Sequence, residues 1–206
     1  VEVVKRSAAD VLDLNILINL ENRGKGFSVQ RGMLAASGEY RLFMDADGSV
    51  DIAHLDPFMN CALEDDVDVV IGSIHAEASD AREHNGWHRR ILGRLANMAV
   101  QTLAVPGIHD TQRGFKLFSA RAAECIFSMQ TVERFGFDIE NLVIARENGF
   151  SIKELPVEWN NPAGSKVTPV SYIQTLAELT RITLNRMMGK YTPEGVAEFA
   201  RRPQHT

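Results

Sequence analysis

Several things are scarce in this sequence, and each scarcity excludes a class of protein. Only two cysteines occur in 206 residues, Cys61 and Cys125. They stand far apart in stretches with helical, partly apolar patterning, so neither a disulfide framework nor a zinc site is implied. Both read as small core residues in a reducing compartment. No run of 18 or more apolar residues occurs, and the first residues show no basic-then-apolar signal pattern. The expectation is a chain that neither spans a membrane nor is addressed for secretion. Positive charge is not in excess either: the formal net charge is -5 and the pI is near 5.7. That argues against a general nucleic-acid binder. Internal repeats and interdomain linkers are missing as well, and 45% hydrophobic with 24% charged residues is ordinary for one soluble domain.

What remains is an alternation of strand and helix patterns. The opening Val1-Glu2-Val3-Val4 is strand-like, so the chain is expected to begin inside a domain. Patterning predicts helices near 7–13, over 26–37 with Gly38 as C-cap, and near 54–63, with strands at 15–20 and 40–44. The run from Val67 to Ile71 suits a buried parallel strand. After a polar stretch to Asn85, a helix is predicted over 87–103, broken by Pro106-Gly107. A short strand at 114–118 follows, then helices near 119–128 and over 138–148, the second ended by Gly149. A strand at 151–159, a loop at 160–166 and a helix over 169–188 complete the pattern. Alternating strands and helices predict an α/β architecture.

The most telling stretch is Gly38 to Gly48, where the apolar Leu42-Phe43-Met44 ends abruptly in Asp45-Ala46-Asp47-Gly48. In open α/β sheets, ligands bind outside the carboxyl ends of strands. Two carboxylates at i and i+2 can turn toward one ion, and Gly48 lets the backbone bend away. Oxygen ligands favour Mg2+ or Mn2+. A plain polar turn is the competing reading. A calcium loop is rejected, because it needs glycine at its sixth position and glutamate at its twelfth, where Gly48 is fourth and Asp56 twelfth.

Three other stretches carry chemistry. Asn22-Arg23-Gly24-Lys25-Gly26 leads from a predicted strand into a helix, and free N–H groups at the helix start plus Lys25 make a candidate anion cradle. It matches neither the P-loop nor the dinucleotide fingerprint. Arg82, His84, His88, Arg89, Arg90 and Arg94 form a basic cluster, open to reading as a solvated face or an anion site. Asp138 and Glu140 could simply start a helix, where negative charge is favoured.

Taken together, Asn-Arg-Gly-Lys-Gly at 22–26, Asp-Ala-Asp-Gly at 45–48, Asp-Thr-Gln-Arg-Gly-Phe-Lys-Leu-Phe at 110–118 and Phe-Gly-Phe-Asp-Ile-Glu at 135–140 resemble an inverting family 2 glycosyltransferase. Within it, they look most like the dolichyl-phosphate or polyprenyl-phosphate glucosyltransferase and mannosyltransferase group. Glu154-Leu-Pro-Val-Glu-Trp159 and Ser165-Lys166-Val167 extend the likeness, which covers about 15–188.

The resemblance implies a GT-A fold, a single Rossmann-like mixed sheet flanked by helices, over 1–190, with a polar tail at 191–206. It also implies a nucleotide-sugar donor (UDP-glucose or GDP-mannose), Mg2+ or Mn2+ at Asp45 and Asp47, and a polyprenyl phosphate acceptor; the competing readings are a family 2 transferase acting on a saccharide hydroxyl and a non-catalytic GT-A remnant acting as a binding domain. Carried over by position, Asp45, Asp47 and Lys25 would bind the donor, and Asp110 and Gln112 would lie at the reacting centre. Lys116, Lys166 and Arg89 would be acceptor-phosphate contacts. Arg113 stands where such relatives often have a small residue. The family's first strand and its nucleotide-base turn have no counterpart before Asn15, so the domain is expected to lack its N-terminal strands.

The implied chemistry also shapes the expected mechanism. The second pKa of a phosphate monoester is about 6, so a lipid phosphate is mostly a dianion at neutral pH and needs little help from a general base. No single carboxylate is therefore expected to be indispensable as a base. The glucosyl branch is favoured by Asp-Thr-Gln-x-Gly-Phe-Lys. Peripheral attachment at the cytoplasmic face of a membrane is the expected location, through the basic cluster and the 169–188 helix, for which core packing is the competing reading.

Overall fold

A computed structural model describes residues 14–74, 105–160 and 169–192. The helices expected at 7–13 and 87–103, the basic cluster with Arg89, the loop carrying Lys166 and the tail beyond 192 lie outside the described residues. Within them the elements run α1 (Lys25–Ala35), β1 (Tyr40–Met44), a 3-10 turn (Ile52–His54), α2 (Leu55–Glu64), β2 (Val69–Ser73), β3 (Phe115–Ser119), α3 (Ala120–Met129), α4 (Phe137–Glu147), β4 (Ile152–Pro156) and α5 (Pro169–Met187).

The four strands form one sheet in the order β1-β3-β2-β4. β3 is antiparallel to both β1 and β2, whereas β2 and β4 are parallel. β1, β2 and β4 therefore point the same way and β3 runs against them, the mixed sheet that the sequence implied. β2 is buried along its whole length, as the unbroken Val69-Val70-Ile71 run requires of a central strand. β1 alternates instead, so that Arg41 and Phe43 are buried on one face.

The sheet separates two apolar clusters. On one side Phe43, Phe118, Phe127, Phe137, Ile139, Leu142 and Ile182 join α1, α3, α4 and α5 to the sheet. On the other, Phe58 of α2 meets Phe115 edge-on at 5.0 Å, among Cys61, Val70 and Leu117. Each fully buried side chain of this kind contributes about 1.5–3 kcal/mol. Local signals set the helix ends. Ser119 Oγ accepts the Ala122 N–H at 3.2 Å and caps α3, an interaction worth about 1 kcal/mol. As expected, Gly149 ends the α4 region, at φ 73°.

Three expectations are corrected. Residues 15–20 are not a strand: no described strand lies beside them, and Leu17, Ile18 and Leu20 are exposed. A strand needs a hydrogen-bonding neighbour, and apolar composition does not supply one. Gly38 does not cap α1, because the chain already leaves the helix at Ala36 in an extended conformation. β4 ends at Pro156 rather than Trp159, since the ladder with β2 stops at Ser73 opposite Pro156.

Candidate functional site

Because β3 runs against its neighbours, its entry arrives at the edge of the sheet where β1, β2 and β4 finish. Gly114, at the end of the 110–114 segment, therefore meets Asp45 across a long gap in sequence. The Asp45 N–H donates to the Gly114 carbonyl at 2.8 Å. A Cβ on Gly114 would stand 2.0 Å from Asp45 Oδ2, so only glycine lets the carboxylate lie over this turn.

Asp45 is paired. Lys25 Nζ lies 2.8 Å from Asp45 Oδ1 and 3.0 Å from Oδ2, with both side chains about a quarter exposed. Lys25 is carried there by the first turn of α1, whose start is fixed by Gly24 at φ 116°, against the Glu133 carbonyl. The ammonium also stands 5.2 Å from the centre of the Phe43 ring, within range of a cation–π attraction. The free N–H cradle expected at this helix start is partly used by the protein itself, because the Phe27 N–H donates to the Glu133 carbonyl at 3.0 Å.

Asp47 is exposed and folds back on its own turn, with Oδ1 accepting the Ser49 N–H at 3.0 Å. That bond, with a smaller contribution from the Lys25 charge, holds its carboxyl below the ordinary value, so it stays ionised. Gly48 follows at φ 71°, the bend the sequence called for. Among the described residues no three His, Cys, Asp or Glu gather into a closed cage. A half-buried and an exposed carboxylate two residues apart suit Mg2+ or Mn2+, which keep waters and share phosphate oxygens. A cation already sits on Asp45 in the form of the Lys25 ammonium.

Asp110 lies across the same edge and is buried. Its Oδ2 accepts from Arg113 Nε at 2.7 Å and from the Ile74 N–H at 3.4 Å. The turn around it is held by Glu154 of β4, whose carboxylate accepts the backbone N–H groups of His109 and Asp110 at 3.0 Å. Burial pushes the Glu154 carboxyl up, but those two N–H groups and the His109 ring prevail and hold it below its ordinary value. Arg113 also lies 4.7 Å from the Trp159 ring centre. Gln112 is exposed at the same turn. The sequence left Arg113 without a role and treated Glu154 as part of a strand. Their work is visible only once β4 is laid beside β2.

Lys116 corrects another expectation. Its side chain is 1% exposed, and Nζ lies 2.5 Å from Asp138 Oδ1 and from the Arg113 carbonyl. An ammonium enclosed in this way ties β3 to α4 and is not presented to an acceptor phosphate. Burial pushes the Asp138 carboxyl up, opposed by the charges of Lys116 and Lys25. Nor do Asp138 and Glu140 merely start a helix. Glu140 is fully buried and accepts from the N–H groups of Thr131 and Val132 and from the Thr131 and Tyr191 hydroxyls.

Several solved structures of glucosyl-3-phosphoglycerate synthase from Mycobacterium tuberculosis share the fold. The complex with phosphoglyceric acid superposes with a TM-score of 0.58 at 14% identity, covering 88% of this chain and 64% of that one. A complex with Mn2+, UDP-glucose and phosphoglyceric acid gives 0.57 at 16% identity, covering 81% and 57%.

Among curated proteins, a dolichyl-phosphate beta-glucosyltransferase of Dictyostelium discoideum is 37% identical over 86% of this chain and 56% of its own length. The Drosophila melanogaster protein of the same name is 36% identical over 86% and 56%, and the Homo sapiens one 33% over 88% and 58%. The chain thus spans a little over half the length of these relatives. Residues 1–127 match the family described as Glycosyl transferase family 2, and with the mixed sheet and the aspartate pair at its edge, the chain belongs to that family.

Proposed function

We propose that this protein transfers glucose, with inversion, from UDP-glucose to a dolichyl or polyprenyl phosphate. The observation that carries the reading is the meeting of Asp45, with its Lys25 partner, and the Asp110–Gly114 turn at one sheet edge. Relatives named dolichyl-phosphate beta-glucosyltransferase favour glucose over mannose and a lipid phosphate as acceptor. In this reading Asp45 and Asp47 hold Mg2+ or Mn2+, which when bound neutralises charge developing on the leaving diphosphate. Lys25 supplies a second positive charge beside the donor.

Asp110 is assigned a positioning role. One of its oxygens is committed to Arg113 and the Ile74 N–H, which suits a group that orients rather than one that removes a proton. A dianionic acceptor phosphate needs no base, so the two features fit together. Gln112, exposed at the same turn, is assigned to the donor sugar. With Lys116 enclosed, the proposed acceptor-phosphate contacts fall to Lys166 and Arg89. A lipid acceptor places the working site at a membrane surface, and we assign the protein to the cytoplasmic face. No described helix is long and apolar enough to cross a membrane.

The test is transfer by the full-length protein, in vesicles containing polyprenyl phosphate, from radiolabelled UDP-glucose or GDP-mannose, with Mn2+ or with EDTA. Metal-dependent label from UDP-glucose in the lipid fraction is the expected result. Label from GDP-mannose alone would move the protein to the mannosyl branch, and no lipid label with either donor would overturn the reading.

A further inference from the structure

We infer that Lys25 is a displaceable internal cation that competes with the metal for Asp45 and couples metal binding to the arrival of the donor diphosphate. The inference rests on the reading of Asp45 and Asp47 as a metal site. Its own basis is the position of the ammonium, which bridges both oxygens of Asp45 at 2.8 and 3.0 Å. A divalent ion that approaches between these two oxygens meets the ammonium already there, and the two cations repel.

Three further features make the lysine exchangeable. Both partners are about a quarter exposed, so water can take over as the pair opens. The other neighbours found for the ammonium are ring faces, with the Phe43 centre at 5.2 Å and the Phe137 centre at 6.0 Å. Those faces attract a cation without fixing it in direction. By contrast Lys116, a few residues from the same edge, is held by a carboxylate and a carbonyl in a site closed to water. The stem of Lys25 comes from the first turn of α1 and can swing while its backbone stays fixed.

The consequence is a thermodynamic coupling. Metal alone must break an ion pair and strand the ammonium. Metal arriving with a nucleoside diphosphate gives the released ammonium a new anionic partner. Each ligand then raises the affinity of the other by the same factor.

The test is calorimetric titration of the full-length protein with Mn2+, alone and with saturating UDP, for the parent, Lys25→Met and Lys25→Arg. Lys25→Met is expected to bind Mn2+ alone about two- to fivefold more tightly than the parent, the size set by losing an ion pair that is about a quarter exposed. Its enhancement by UDP should shrink by a similar factor. Lys25→Arg, which keeps the pairing charge, should stay near the parent in both. If Lys25→Met binds Mn2+ alone no more tightly than the parent while UDP still enhances binding, the competition is overturned and the metal site stands. If Mn2+ binds to none of the three proteins even with UDP, the metal-site reading fails and the competition with it.

Discussion

Two lysine–aspartate pairs lie near one edge of the sheet, and they differ in almost everything except composition. Lys116–Asp138 is sealed, with side chains 1% and 5% exposed, and joins β3 to α4. Lys25–Asp45 is open, at 29% and 27%, and joins the start of α1 to the turn after β1. Removing one partner of a sealed pair leaves a charge that neither water nor another group can satisfy. Opening an exposed pair costs little, because water replaces the partner. The first pair is therefore part of the framework, and the second is available for exchange during function. A motif shared with a family does not distinguish the two, whereas burial does.

The strongest way to break this comparison is to cut each pair. Lys116→Met is expected to cost about 3–5 kcal/mol in denaturant unfolding. Adding Asp138→Leu to it should recover most of the loss, since the stranded carboxylate is then gone. Lys25→Met is expected to stay within about 1 kcal/mol of the parent. Equal costs for the two lysines would mean that the open pair is structural after all.

Gly114→Ala sharpens the comparison without touching a charge. Its new Cβ falls on the Asp45 carboxylate, so that carboxylate must shift from its place beside Lys25. We expect a stability loss of about 1–3 kcal/mol, as for overpacking elsewhere, together with weakened Mn2+ binding by calorimetry. Unchanged metal binding in a folded Gly114→Ala protein would detach Asp45 from the metal.

The smallest effect is expected from Glu154, which holds the Asp110 turn through backbone N–H groups. Its carboxyl is depressed below the ordinary glutamate value of about 4.3. The stabilisation it gives is therefore fully present above that value and is lost as pH falls through the depressed one. Glu154→Gln should lower stability at neutral pH by about 1 kcal/mol and make thermal stability less steep in pH on the acid side. An acid limb identical to the parent's would remove Glu154 from that role.

Much of this was legible in the sequence because its cause was local. The unbroken Val69-Val70-Ile71 run announced a buried strand, and the apolar run into Asp45 announced an acidic exit from a strand. The relation between the 45–48 and 110–118 motifs was legible only through resemblance, because the reversal of β3 that brings them together is a property of the whole sheet. Lys116 was misassigned for a similar reason. Lysine is seldom buried, and nothing in Gly114-Phe115-Lys116-Leu117 signals that Asp138 closes over it from α4. Residues 15–20 show the converse, an apolar strand-like pattern with no described neighbour to pair with. Arg113 and Glu154 act on Asp110 through contacts between elements far apart in the chain, which no spacing encodes.

The proposed chemistry requires that Asp45 and Asp47 form a metal-dependent nucleotide-sugar site. The direct measurement is calorimetric titration of the folded protein with UDP-glucose and with GDP-mannose, in Mn2+ and in EDTA, for the parent and Asp47→Ala. Asp47 is exposed and gives up the bond from the Ser49 N–H, so its loss should cost about 1 kcal/mol and leave the protein folded, which isolates the effect on binding. UDP-glucose is expected to bind only with Mn2+ and to lose its binding in Asp47→Ala. Binding of equal strength in EDTA, or in Asp47→Ala with Mn2+ present, would contradict this.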